Sequence, residues 1–219
     1  MRIERIRVAR VPLVLISPLR TSDGAHQSRS AVLVEITDSD GFVGWGENVA
    51  TSGVAYVGES AEASYAAMTQ LLIPELVQHD VAVADLFADG WWGIEGQHFA
   101  KHAIESALWD VHARRQGKSL AEVLGAVETQ IEVGVVVGMH DSIDDVVAEV
   151  MMRVDEGYAR VKVKIAPGHD VEVLAAVRDA VGVEYALQAD ANGAYGADDI
   201  DLLCSLDKFA LQFIEQPFV

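Results

Sequence analysis

Two periodicities divide the chain. Up to about residue 125, short strand-like runs are followed by helical stripes. Arg2 to Leu15 and Ser30 to Thr37 are rich in Ile and Val with partial period-two alternation, which predicts strands. The turn cluster Asp38-Ser39-Asp40-Gly41 separates the second run from Phe42 to Glu47, so residues 30 to 47 read as a hairpin. Ser60 to Leu72 is Ala-rich and predicts a helix with Pro74 just past its end. His98 to Gln116 carries apolar or Ala residues at 99, 103, 104, 107, 108 and 111, a helical stripe that stops at Gly117. Leu120 to Leu124 adds a short helical piece ending at Gly125.

Beyond residue 130 the pattern becomes strand-helix alternation. Apolar strand candidates are Ile131 to Val137, Arg160 to Ile165, Glu184 to Ala189 and Phe209 to Ile214. Between them lie helix candidates. Ile143, Val146, Val147, Val150, Met151 and Val154 share one helical face, bounded by Ser142 and Gly157. Val171 to Val181 stops at Gly182, and Asp198 to Leu206 forms the third. Regular alternation with about 25 residues per unit means parallel βα units. They belong either to an open doubly wound sheet or to a (β/α)8 barrel. A complete barrel takes about 250 residues, so one beginning at residue 131 is cut at its fourth strand, immediately before Gln216-Pro217-Phe218-Val219. That is an odd place for a natural fold to stop.

Charge narrows the partners. Sixteen basic against 34 acidic residues leave a net charge of −18, which repels phosphate backbones and anionic lipid. Neither nucleic acid nor a membrane surface is an expected partner. The one cysteine, Cys204, excludes an internal disulfide and suits a reducing compartment. No apolar run reaches spanning length, and Pro12 interrupts the apolar N-terminal stretch, so neither a membrane span nor a secretory signal is expected. A cytoplasmic protein is the expectation.

Candidate chemistry concentrates in the second half. In Arg160-Val161-Lys162-Val163-Lys164-Ile165, period two puts Lys162 and Lys164 on one face and the apolar residues on the other. A covered parallel strand is normally apolar on both faces. If the valines face the helices, both lysines point toward the centre of the sheet or barrel. Desolvation lowers an ammonium pKa and makes the amine usable as a base; two solvated lysines at a strand end are the plain alternative. Asp190 and Glu215 fall at the C-terminal ends of the next two strands, where active sites lie in both barrels and open α/β sheets. Two carboxylates there suit a hard cation such as magnesium, against the alternative that Asp190 or Asn192 starts the following turn.

These motifs, Lys-Val-Lys, Asp-Ala-Asn and Glu-Gln-Pro in this order and spacing, resemble the enolase superfamily in its muconate-lactonising and mandelate-racemase-like branch. Gly157 to Val171, Pro18 to Gly24 and Gly44-Trp45-Gly46-Glu47 resemble its o-succinylbenzoate synthase and N-acylamino acid racemase subgroup. The resemblance covers essentially the whole sequence. It implies an α/β protein: an N-terminal α+β capping domain over residues 1–125, then the first half of a (β/α)8-type barrel over 126–219, with the remainder beyond Val219. It implies Lys164 as general base, Lys162 as a positive charge near the same oxygens, Asp190 and Glu215 as two of three Mg2+ ligands (Mn2+ substituting), and Asn192 supporting the site. A third acidic ligand and an opposing lysine are expected beyond the sequence. Substrate loops would carry Leu19, Arg20, Thr21, Ser22 and Tyr56. Subgroup members often have a small polar residue where this chain has Val136.

The implied reaction is magnesium-assisted dehydration of 2-succinyl-6-hydroxycyclohexadiene-1-carboxylate in menaquinone synthesis. Racemisation of an N-acylamino acid, or a related epimerase or cycloisomerase reaction, is the alternative within the family. An inactive α/β remnant is the alternative outside enzymes. The partner is a small-molecule carboxylate, and a homo-oligomer stays open. Four features carry less. His98 and His102 have a zinc-compatible spacing but no Glu at position 99, and read as a solvated helix face. Trp91-Trp92 reads as a loop anchor. Gly41 to Gly46 lacks a phosphate-loop pattern. Cys204, at helical spacing with Ile200, is expected in the core.

Overall fold

The chain's computed structural model describes residues 1–22, 24–50, 59–77, 80–81 and 94–219. It divides into two compact units: residues 1–14 with 28–129, and residues 15–27 with 130–219.

The first unit contains a three-stranded sheet in the order β1 (Ile3–Thr21), β2 (Gly24–Asp38), β3 (Val43–Asn48), whose far hairpin end groups with the second unit. The expected hairpin is there, antiparallel from Val32↔Asn48 to Thr37↔Val43. Asp38 closes its turn by accepting the Asp40 and Phe42 backbone N–H groups at 3.0 and 2.9 Å, while Arg115 donates to its other oxygen at 2.5 Å. Val32, Val34 and Ile36 bury one face of β2. Ala61–Ala67 (α1) runs through a π-helical turn, Met68–Leu72, into Ile73–Leu76 (α2). Pro74 therefore does not end the helix; it sits in the first turn of α2, where its missing N–H costs little.

The helix His98–Arg115 (α3) buries Ala100, Ala103, Ile104, Ala107, Leu108 and Val111. Its start is capped from a distance: the Glu59 carboxylate accepts the backbone N–H groups of His98 and Phe99 at 2.8 and 3.1 Å. His98 and His102 are exposed on its outer face. Gly44 and Gly46 lie two apart on the buried face of β3 and let the strand touch the α3 backbone. A Cβ on Gly46 would stand 1.9 Å from the Ala103 carbonyl oxygen, and one on Gly44 2.3 Å from that of Ala107. Leu120–Val123 (α4) follows, capped by Ser119.

The second unit holds a four-stranded parallel sheet in the order β4 (Gly134–Val137), β5 (Arg160–Lys164), β6 (Ala186–Asp190), β7 (Ile214–Glu215), connected through α5 (Ile143–Asp155), α6 (Val171–Val181) and α7 (Ile200–Ser205). Val161, Val163 and Ile165 pack with Val146, Val150, Val173, Leu174 and Val177 in one core, so the lysines of β5 take the opposite face. Arg178, buried on α6, donates to the carbonyls of Phe209, Gly182, Tyr185 and Ala210 at 2.8, 2.7, 2.8 and 3.1 Å and so fixes the approaches to β6 and β7.

Three local expectations change. The apolar run from Phe209 is not a strand: Leu206–Phe209 is a 3-10 turn whose Leu206 and Phe209 enter the core, Ala210 turns the chain at φ 50°, and β7 begins only at Ile214. Ile131 and Val133 are exposed and precede β4. Cys204 is exposed, because Leu202, Leu203 and Leu206 form the inward side and leave Cys204 and Ile200 on the outward one. Trp91-Trp92 lies outside the described residues.

Gly46→Ala should lower stability by about 3 kcal/mol or more, since the obstacle is helix backbone that cannot rotate away. Urea unfolding checks it; an unchanged midpoint would show that β3 and α3 can separate freely.

Candidate active site

Parallel register sets the site. Lys162 pairs with Gln188 and Lys164 with Asp190 across β5–β6, and Asp190 pairs with Glu215 across β6–β7. Period two brings Lys162, Lys164, Asp190 and Glu215 to one face near the C-terminal ends of three adjacent strands. Val136 is beside Lys162 in the β4–β5 register.

The side chains meet. The Lys164 ammonium donates to Asp190 Oδ2 at 2.5 Å and to Asn192 Oδ1 at 2.6 Å. Lys162 Nζ lies 2.9 Å from Glu215 Oε2 and 3.3 Å from Asp190 Oδ2. Asp190 Oδ1 accepts the Asn192 backbone N–H at 3.0 Å, a local turn that holds Asn192 at φ 47°, in the left-handed region asparagine tolerates. Burial decreases outward: the Asp190 side chain is 2% exposed, Lys164 9%, Lys162 20% and Glu215 44%.

Two opposed effects act on these groups. Burial pushes the Asp190 carboxyl up, but the Lys164 hydrogen bond and charge, the Asn192 N–H and the Lys162 charge outweigh it and hold Asp190 below its ordinary range. Burial pulls Lys162 down, yet the hydrogen bond it donates to Glu215 and the Asp190 charge raise it above its ordinary value. The fall expected of a desolvated ammonium therefore does not occur at Lys162: its desolvation is more than compensated by the carboxylates.

Asp190 and Glu215 already share one cation, the Lys162 ammonium, at hydrogen-bonding range. That donor set fits a hard divalent cation as two of its oxygen ligands. Among the described residues no group of three acidic, His or Cys side chains converges as a metal cage.

The remaining candidates occupy the hairpin end of the same unit. Arg20 pairs with Asp141 after β4 at 2.5 Å, and its carbonyl accepts the Met139 N–H at 3.0 Å. Ser22 Oγ donates to the Ala191 carbonyl, next to Asp190, at 3.1 Å, whereas the Thr21 hydroxyl donates to the carbonyl of Gly24 at 3.3 Å. Leu19, half-buried, lines a cavity of about 760 Å³ with Arg20, Gly138, His140 and Glu149. Tyr56 lies outside the described residues. Two supporting contacts have little signature in the sequence. One is Asp141. The other is the buried Tyr195 hydroxyl, which donates to Asp170 at 3.1 Å and ties the loop after β6 to the start of α6. The Pro167-Gly168 turn before Asp170 marks that residue as a helix start, but not as an acceptor for Tyr195.

A parallel βα sheet that carries paired lysines on one strand and single carboxylates at the ends of the next two gathers these charged groups at the C-terminal strand ends, where α/β barrels place their active sites. The chain belongs to the mandelate racemase / muconate lactonizing enzyme family: the model of the family's N-terminal domain matches residues 3–125 and the enolase C-terminal domain-like model matches 145–219. The o-succinylbenzoate synthase of Geobacillus kaustophilus is 38% identical over 219 residues, covering 98% of this chain and 57% of that protein. An N-succinylamino acid racemase of Amycolatopsis is 36% identical over 217 residues, covering 99% and 59%. A crystal structure of an enolase superfamily member from Listeria innocua superposes with a TM-score of 0.93 at 34% identity, over 100% of this chain and 59% of that one. The chain thus spans under three fifths of the length of these relatives.

Asp190→Asn in metal-free buffer should cost roughly 3 kcal/mol at pH 7, the range for breaking a buried ion pair. Because the folded pKa of Asp190 is depressed, its contribution is complete above the ordinary carboxylate pKa of about 4 and is lost as pH falls through the lower folded value. The stability gap between wild type and Asp190→Asn should therefore narrow on acidification. Urea titrations from pH 6 to pH 2.5 check this; a constant gap would contradict the pairing.

Proposed function

We propose that the full-length protein is an o-succinylbenzoate synthase: it dehydrates 2-succinyl-6-hydroxycyclohexadiene-1-carboxylate, a step of menaquinone synthesis. The observation that supports this most is the Lys162–Asp190–Lys164–Glu215 cluster, together with curated synthases at 34–38% identity.

Lys164, as the neutral amine, takes the proton from the carbon bearing the carboxylate. The C–H electron pair moves into the carboxylate, whose two oxygens then carry the added charge. Its return expels the hydroxyl group on the adjacent ring carbon, which takes the proton back from Lys164 and leaves as water, and the ring becomes aromatic. Lys162 keeps a positive charge beside the developing oxyanion, and Asn192 keeps Lys164 aimed. Asp190 and Glu215 would hold Mg2+, which supplies charge neutralisation for the enediolate oxygens; Mn2+ would substitute. The partner is accordingly a small carboxylate, and a single cysteine in an acidic chain suits the cytoplasm.

Racemisation is the second reading. The Amycolatopsis relative, at 36% identity, is named for it, and the same proton abstraction opens both reactions.

Purified full-length protein should convert the cyclohexadiene substrate to o-succinylbenzoate, followed by ultraviolet absorbance, faster than it racemises N-succinylamino acids. Lys164→Ala should lower kcat by about 10²- to 10⁴-fold, the usual contribution of a positioned base. Racemisation without dehydration would establish the second reading; neither activity would overturn both.

A further inference from the structure

The chain's own cations and the divalent ion require the same carboxylates. Lys162 Nζ lies between Glu215 Oε2 at 2.9 Å and Asp190 Oδ2 at 3.3 Å, close to where a cation held by both would be centred. Lys164 takes the same Asp190 oxygen at 2.5 Å, and the other oxygen accepts the Asn192 N–H. Among the described residues two ammonium groups stand against two carboxylates, so each carboxylate already has a cation beside it.

The two lysines differ in what they keep when a metal takes the carboxylates. Lys164 retains Asn192 Oδ1 at 2.6 Å. For Lys162, the described partners are Asp190 and Glu215 themselves. Its strand neighbours offer no replacement. Val136 is apolar, and the Gln188 side chain is turned to Gln212, donating to its amide oxygen at 2.8 Å.

We propose that Lys162 is a built-in antagonist of the divalent cation: it neutralises the Asp190–Glu215 pair and must yield it when the ion binds, which weakens metal affinity. This rests on the assignment of Asp190 and Glu215 as metal ligands in the reading above. Lys162 thereby stabilises the site before loading and becomes a cation free for the substrate carboxylate afterwards. Removing its charge trades one function for the other: metal binds more tightly while the substrate loses a counter-charge.

The sign of the effect separates this from a structural role. If Lys162 only held the carboxylates in place, its loss would weaken metal binding. If it competes, loss of a unit charge at this range should tighten binding roughly tenfold or more. The test measures free Mn2+ by electron paramagnetic resonance in titrations of the full-length protein without substrate. Lys162→Met and Lys162→Gln remove the charge, and Lys162→Arg keeps it; far-ultraviolet circular dichroism reports whether each is folded. At least one folded neutral variant should bind Mn2+ about tenfold more tightly than wild type, with Lys162→Arg within about threefold of it. Unchanged or weaker binding in the neutral variants, or no Mn2+ binding by any form, overturns the proposal. So does unchanged affinity in both Asp190→Asn and Glu215→Gln, which would place the ion elsewhere. Tighter binding in a protein that does not dehydrate the cyclohexadiene substrate would leave this inference standing and remove only the assigned reaction.

Discussion

Charge compensation at the ends of three parallel strands is the constraint on which the site depends. Asp190 is almost fully buried and Lys164 nearly so, and an unpaired charge in such surroundings is costly. Each is acceptable because the other lies 2.5 Å away, and Lys162 extends the chain to Glu215. The arrangement places two ammonium groups and two carboxylates within one hydrogen-bonding network. An uncompensated charge at Asp190 or Lys164, the two buried positions, would destabilise the strand ends that position the others.

The fold maintains that network through ordinary strand physics. The β5–β6–β7 register aligns Lys164, Asp190 and Glu215 directly, and period two sends Val161, Val163 and Ile165 to the helix-covered side. Backbone pairing continues past the strand ends: Ala191, Gly193 and Tyr195 donate to Glu215, Gln216 and Pro217. The segments bearing Asn192 and Glu215 are therefore held side by side, not left as free loops. Arg178 performs a similar service lower down, where one guanidinium satisfies carbonyls before both β6 and β7. In the other unit, close backbone approach replaces charge as the organising contact, through Gly44 and Gly46.

Much of this was legible in the sequence because it follows from periodicity. Alternation in Arg160 to Ile165 identifies the inward lysines, and helical stripes locate α3, α5 and α6 to within a residue or two. What was not legible depends on partners distant in sequence. An apolar run such as Phe209 to Ile214 can be strand or helix end, and only the core around Leu206 decides it. Cys204 faces outward because neighbouring leucines take the inward side. The ordinary expectation that a desolvated lysine loses its proton more easily fails for Lys162, because two carboxylates from other strands outweigh burial. The Arg20–Asp141 and Tyr195–Asp170 contacts join residues 121 and 25 positions apart, with no local pattern to announce them.

The central claim is that Lys164, not Lys162, receives the substrate proton. The most direct measurement is exchange of the substrate's α-hydrogen with deuterated solvent, followed by proton NMR in the full-length protein with Lys164→Arg and Lys162→Arg. A guanidinium keeps the charge but does not act as a base near neutral pH. The account predicts that exchange is abolished in Lys164→Arg and only slowed in Lys162→Arg. Exchange at the wild-type rate in Lys164→Arg, or slower exchange in Lys162→Arg than in Lys164→Arg, would contradict it.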